Sequence, residues 1–197
     1  MDTQKFQVVV IGGSAGSFPV INAILSNLPD SRHYPVILCL HRLKQVRHGF
    51  KEALALHSKW EIREPDDKER ALKGTVYLAP ANYHLLFDYD NRFALNIDAP
   101  INHSRPAIDI TCETASYWYR SRLLGILLSG ANKDGASGLK KIRDRNGITI
   151  VQDPEEAQIA TMPNAALNLS AAMHTMDTTN IIGFLNQNSP QPFLTSS

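Results

Sequence analysis

The stretch QVVVIGGSAGS, Gln7–Ser17, decides the fold. After Gln7, Val8 to Ile11 are a run of four β-branched side chains with no polar alternation, the pattern of a strand buried on both faces. Glycines follow at once at Gly12 and Gly13. From Ser17 to Asn27 the apolar positions Val20, Ile21, Ile24 and Leu25 fall at helical spacing. Strand, glycine turn and helix in that order open a β-α-β unit.

The alternation continues along the chain. VILCL (36–40) is a second unbroken apolar run, 49–57 reads as a helix, and 61–63 and 75–78 read as short strands. Segments 84–87 and 93–97 flank the polar turn 88–92 and predict an antiparallel hairpin. A long helix is expected over 106–122, with Pro106 in its first turn. Strand 123–128, helix 138–144, strand 148–151, helix 162–169, a short strand near Thr175 and helix 180–186 complete the pattern. This predicts an α/β fold: a doubly wound, mostly parallel sheet in a Rossmann-like three-layer sandwich, with a small antiparallel β-hairpin. One domain over 1–187 and a disordered Pro-bearing tail over 188–197 are expected.

The formal net charge of +1 among 197 residues gives no basic field for nucleic acid. The local run Arg42, Lys44 and Arg47 reads as a solvated loop. Two cysteines, Cys39 and Cys112, with no C-x-x-C spacing, fit a reducing compartment without a disulfide. Neither a signal sequence nor a membrane-length apolar run is seen, so a cytoplasmic protein that is not membrane-inserted is expected.

In doubly wound sheets, ligands bind beyond the carboxyl ends of the strands. Three loops there carry unusual chemistry. Gly12-Gly13-Ser14-Ala15-Gly16 contains G-x-S-x-G, in which small neighbours let a serine oxygen project from a tight strand-to-helix turn. The competing reading is a dinucleotide phosphate loop. Against it, Ser14 stands where the second glycine of G-x-G-x-x-G belongs, and Asp30 lies before the second strand instead of at its end. His41 directly follows the second strand, within reach of Ser14 if the strands are neighbours; a strand-capping role is the alternative. Asp134 precedes Gly135 after the LLGILL strand, where an N-cap is the plain reading. Asp153 is a second strand-end acid, and Asp109 a weaker one inside a helix. The remaining histidines (His33, His48, His57, His84, His103 and His174) show no metal-ligand spacing, and no metal is expected.

Together these loops resemble the catalytic domain of CheB-type protein-glutamate methylesterases. The resemblance rests on VVVIGGSAGS (8–17), LH (40–41), YLAPANYH (77–84), HSRPAIDI (103–110), LLSGANKDGASGLKKI (127–142) and TIVQDPEEAQIATMPNAAL (149–167). It implies a serine hydrolase with Ser14 as nucleophile, His41 as base and Asp134 orienting the histidine, and so selects Asp134 among the acids. It implies an oxyanion hole from the backbone N–H groups of Ala15 and Ala131, cleft residues Met162, Arg105 and Tyr83, and no cofactor. The implied substrate is the glutamate methyl ester of chemoreceptor cytoplasmic helices, with deamidation of receptor glutamines as a related reaction. Ala15 replaces a common threonine, Ala131 a methionine of some members, and Lys133 sits beside the aspartate, where it bears on substrate charge preference. The segment after His41 is longer than the common version. Family members typically carry a phospho-receiver domain ahead of the first strand. Here Met1 with a short leader points to a stand-alone form, a fragment of a longer chain being the alternative, and a separate regulatory protein is a candidate partner. The other function classes weighed are a hydrolase of other small esters or amides, and a non-catalytic binding module.

Overall fold

A computed structural model describes residues 6–31, 33–41 and 49–188. The basic run at Arg42, Lys44 and Arg47, His48, nearly all of the long segment after His41, and tail residues 189–197 lie outside the described residues.

Seven strands form one parallel sheet in the order β3-β4-β2-β1-β7-β8-β9. They are β1 (Val8–Gly13), β2 (Val36–Leu40), β3 (Glu61–Arg63), β4 (Thr75–Leu78), β7 (Leu123–Leu127), β8 (Ile148–Gln152) and β9 (His174–Met176). β5 (His84–Asp88) and β6 (Arg92–Asn96) form a separate antiparallel hairpin, with Leu86 opposite Ala94. The helices are α1 (Phe18–Ser26), α2 (Phe50–Ala55), α3 (Ile108–Tyr119), α4 (Ala136–Asp144), α5 (Thr161–Asn168) and α6 (Thr178–Gln187). Among the described residues no helix is long and apolar enough to cross a membrane.

The apolar runs are continuous because both faces of the sheet are covered. Val9, Ile11, Val36, Leu38, Leu124 and Ile126 point to one core with Ile21, Ile24 and Leu25 of α1 and Ile181 and Leu185 of α6. Val8, Val10, Ile37, Cys39, Leu123 and Leu127 point to the other, with α3, α4, α5 and the hairpin. Each fully buried Val, Leu or Ile contributes about 1.5–3 kcal/mol of transfer free energy. From β1 the chain winds outward through β2, and later from β7 through β8 to β9. β1 and β7 are therefore the pair at which the winding reverses, the crevice position of such sheets.

α3 differs from expectation. It begins at Ile108, with Ala107 as an extended N-cap, so Pro106 lies outside it. It ends at Tyr119, because Arg120 has a φ of 49° and cannot continue the helix; a single 3-10 turn, Arg120–Arg122, leads into β7. The hairpin strands are centred one residue earlier than read on the β6 side, and Ile97 falls outside. Asn188, assigned to the tail by sequence, is the C-cap of α6, its side chain donating to the Phe184 carbonyl at 2.7 Å.

Both cysteines are free thiols inside the α3-side core. Burial pushes the Cys39 thiol up to about 12 and the Cys112 thiol well above its ordinary value. Native protein is therefore expected to take up no iodoacetamide at pH 8, and denatured protein two equivalents, by intact mass. Rapid native alkylation of either thiol would contradict this packing.

Candidate active site

The site is built where β1, β2 and β7 release their chains at the same edge. Register places Gly13 opposite Leu40 and Gly12 opposite Leu127. The next residues, Ser14, His41 and Leu128, leave side by side. Backbone bonds stitch the exits together: His41 N–H to Gly13 O at 3.2 Å, Leu128 N–H to Gly12 O at 2.9 Å and Ser14 N–H to Ser129 O at 2.9 Å. The Ser14 carbonyl accepts from Ser17 N–H at 3.1 Å and Ser17 Oγ at 2.7 Å, which turns the loop into α1. Ser14 itself is half-buried.

The loop after β7 is held from behind. Ser129 N–H donates to Gln152 Oε1 at 2.9 Å, and Ser129 Oγ bridges the Ala15 carbonyl and the Ile159 backbone. Gly130 N–H donates to Ile159 O at 3.1 Å and Met162 N–H to Gly130 O at 3.0 Å. Among the amides these bonds leave without an acceptor are those of Ala15 and Ala131. Ala15 and Ala131 are exposed, and neither N–H has a hydrogen-bond acceptor among the described residues. Such free amides can stabilise an oxyanion.

Asp134 is fully buried. Its Oδ2 receives the Ile108 N–H at 2.7 Å and lies 2.7 Å from His41 Nε2; its Oδ1 receives the Asp109 N–H at 3.1 Å. Ile108 and Asp109 are the first two residues of α3. The carboxylate thus sits on a helix N-terminus, where free N–H groups and the helix dipole favour negative charge. The group is already an acceptor for two amides, so His41 Nε2 carries the proton and Nδ1 keeps a lone pair. Nδ1 lies 3.3 Å from Ser104 Oγ. Among the described residues no hydrogen bond joins Ser14 Oγ to the imidazole.

Asp109 returns the arrangement. Its Oδ1 accepts from Gly135 N–H at 2.9 Å and Gly138 N–H at 2.7 Å, capping α4, and Oδ2 accepts from Asn102 Nδ2 at 3.1 Å. α3 and α4 thus cap each other through two aspartates. Burial, then the nearby Asp134 charge, pushes the Asp109 carboxyl up, while the two amides pull it back. The helices approach so closely that a Cβ at Gly138 would lie 2.8 Å from Asp109 Cα and backbone O. At Gly12 it would lie 2.4 Å from Ile108 Cγ2, so glycine there lets the α3 N-terminus come down onto the edge of β1.

Ser14, His41 and Asp134 therefore meet at one edge, while the other candidates spread around it. Met162 is fully buried and its side chain packs on Gly130. The Arg105 guanidinium donates to Asn82 Oδ1 at 2.7 and 3.2 Å and to the carbonyls of Ile97 at 2.5 Å and Asp98 at 2.9 Å. Tyr83 is exposed on the loop before β5. Buried His84 accepts from Ala107 N–H at 3.2 Å and donates to Ala99 O at 3.2 Å. Asp153 makes its own turn, accepting from Glu155 N–H at 2.9 Å. Among the described residues no cluster of three metal-ligating side chains is present. Sequence reasoning passed over Ser104 and Asn132. Asn132 Oδ1 accepts from Asp134 N–H at 3.0 Å, an Asx turn that the spacing Asn132-Lys133-Asp134-Gly135 signals.

The doubly wound sheet, with a free serine loop and a buried histidine–aspartate pair at its carboxyl edge, is the frame of an α/β ester hydrolase. Comparison with known proteins narrows this class. The family model of the CheB methylesterase matches residues 9–185. A Leptospira interrogans relative, provisionally named a protein-glutamate methylesterase/protein-glutamine glutaminase, is 38% identical over 172 residues, covering 87% of this chain and 89% of its own. A Carboxydothermus hydrogenoformans protein-glutamate methylesterase/protein-glutamine glutaminase is 33% identical, covering 86% of this chain and 52% of its own. The crystal structure of the Thermotoga maritima CheB methylesterase catalytic domain superposes with a TM-score of 0.87 at 29% identity, over 91% of this chain and 97% of that one. The chain belongs to the CheB methylesterase family.

Reciprocal capping makes a measurable demand. Asp109→Ala leaves two α4 amides without their acceptor and is expected to lower unfolding free energy by about 2–3 kcal/mol. Gly138→Ala is expected to cost about 1–3 kcal/mol through overpacking. Urea unfolding measures both, and parental stability in Asp109→Ala would refute the capping role.

Proposed function

We propose that this protein hydrolyses methyl esters of glutamate side chains on chemoreceptor cytoplasmic helices, with Ser14 as nucleophile, His41 as general base and Asp134 as the group that orients and charges-compensates the imidazole. The observation that carries the reading is the 2.7 Å contact of His41 Nε2 with a carboxylate fully buried on the α3 N-terminus, at the edge where Ser14 emerges. The names of the relatives support the substrate class.

The proposed reaction assigns these groups the following steps. His41 Nδ1 takes the Ser14 proton as Oγ attacks the ester carbonyl, and Asp134 stabilises the imidazolium. The carbonyl oxygen becomes an oxyanion between the free N–H groups of Ala15 and Ala131, where one such donor is worth about 3–4 kcal/mol in the barrier. Collapse expels methoxide, which leaves as methanol with the proton from His41. Water, deprotonated by His41, then releases glutamate from the Ser14 ester. A glutamine side chain entering the same site would lose ammonia by the same steps. Lys133, exposed beside Asp134, favours substrate helices with acidic flanking residues. The proposed setting is the cytoplasm, with control by a separate regulatory protein and with no cofactor.

Purified protein should release methanol from methylated receptor fragments, and Ser14→Ala should lower the rate by about 10⁴-fold or more. A fluorophosphonate should label Ser14 in the parent alone. Methanol release that survives Ser14→Ala would remove this residue from the mechanism.

A further inference from the structure

His41 is held at both ring nitrogens, and only one of its partners belongs to the proposed triad. Nδ1, the nitrogen left to act as base, faces Ser104 Oγ at 3.3 Å. Ser104 is buried, with 8% of its surface exposed. It is pinned through its backbone, exchanging both bonds with Ile101 at 2.8 and 3.1 Å. Its hydroxyl receives Asn132 Nδ2 at 3.3 Å and has a second acceptor for its own proton, the Asn102 carbonyl at 3.4 Å. Asn132 also holds the Asp134 amide, so the fixture for Nδ1 and the fixture for the carboxylate share one side chain.

We propose that Ser104 is a positioning residue for the base, a hydroxyl that adapts to both protonation states of His41. With the ring neutral, Ser104 O–H donates to the Nδ1 lone pair and, with Asp134 at Nε2, fixes the ring plane. To free the single Nδ1 lone pair for the Ser14 proton, the Ser104 hydroxyl first turns its hydrogen to the Asn102 carbonyl. Its oxygen then presents a lone pair to the imidazolium. One proton moves from Ser14 Oγ to Nδ1 as Oγ bonds to the ester carbonyl carbon and the carbonyl oxygen takes the negative charge; the Ser104 proton only turns about Cβ–Oγ. An oxygen already in place near a developing cation stabilises it at the cost of turning one O–H. The proposal rests on the reading of His41 as base, and a readout independent of turnover separates the two.

The variants are Ser104→Ala and Ser104→Thr, the second keeping the hydroxyl. In ¹⁵N-histidine-labelled protein, with the ring neutral, Ser104→Ala should move the His41 Nδ1 resonance and leave Nε2 in place; Ser104→Thr should restore Nδ1. Fluorophosphonate labelling of Ser14 should slow about tenfold in Ser104→Ala and recover in Ser104→Thr. On a methylated receptor fragment, kcat should fall by a similar factor with KM unchanged. An Nδ1 resonance identical in parent and Ser104→Ala overturns the proposal whatever the activity. So does parental labelling by Ser104→Ala, or a Ser104→Thr protein as slow as Ser104→Ala. A parent that releases no methanol and takes no label, with the Nδ1 shift as expected, overturns the hydrolase reading and leaves the Ser104 contact standing.

Discussion

A carboxylate with no solvent exposure lies at the carboxyl edge of the sheet, and the site's geometry follows from what Asp134 requires. Burying an ionised group costs several kcal/mol unless its lone pairs are matched by donors. Three donors match them here: the amides of Ile108 and Asp109 and the His41 Nε2–H. Two of these exist because a helix begins at that point and leaves its first N–H groups free. The helix must therefore end its approach with its N-terminus against the loop after β7, and the small residues at Gly12 and Gly138 are what allow that approach. Asp109 adds the converse constraint by holding the first amides of α4. Two helices that each supply the other's missing acceptor fix a mutual position that apolar packing, which has no direction, leaves free.

The same accounting explains why the edge has unused amides where it does. Nearly every polar group of the two loops around Ser14 is committed: Ser129 to Gln152, Ala15 and Ile159, Gly130 to Ile159 and Met162, Ser14 to Ser129 and Ser17. Ala15 and Ala131 are exposed, and their amides have no acceptor among the described residues. Loops tied this firmly do not need to move to present those donors, and electrostatic stabilisation is strongest when no reorganisation is required. Met162 contributes from the interior, packing on Gly130.

The fold was readable because a parallel sheet buried on both faces writes an unambiguous signature. Val36–Leu40, Glu61–Arg63 and Thr75–Leu78 are strands with the limits read from the sequence. The start of α3 was not readable from propensity. Pro106 looks like a first-turn proline, yet the Ala107 N–H is taken by His84, and the free first-turn amides needed by Asp134 belong to Ile108 and Asp109. That boundary is set by a partner 26 positions away in sequence, which no local pattern records. Asp109 lies inside a helix, as read, but its capping role was hidden for the same reason, since its partners Gly135 and Gly138 lie at the start of α4. Ser104 was hidden inside a motif that directed notice to Arg105. Ser14 and His41 stood out because strand ends in such a sheet are places where ligands bind, whereas Asp134 was selected among the acids only through the family resemblance.

The hairpin shows how far the site's support extends beyond the sheet. β5 and β6 share no hydrogen-bonded ladder with the seven strands, yet α3 is moored to them along its length. Thr111 Oγ1 donates to Leu85 O at 2.7 Å, Phe87 N–H to Thr114 Oγ1 at 3.1 Å and Trp118 Nε1 to Phe87 O at 3.2 Å. His84, at the head of β5, fixes the amide just before the helix, and Arg105 clamps Asn82 to the chain leaving β6. Each of these bonds holds α3 in register with the hairpin, and so decides where its N-terminus falls relative to Asp134. A parallel sheet alone places Ser14 and His41, since they leave adjacent strands. It cannot place the acceptor for His41, because Asp134 is ionically tolerable only under a helix that the sheet does not itself position. The hairpin supplies that positioning, so an appendage outside the main sheet is a structural part of the site.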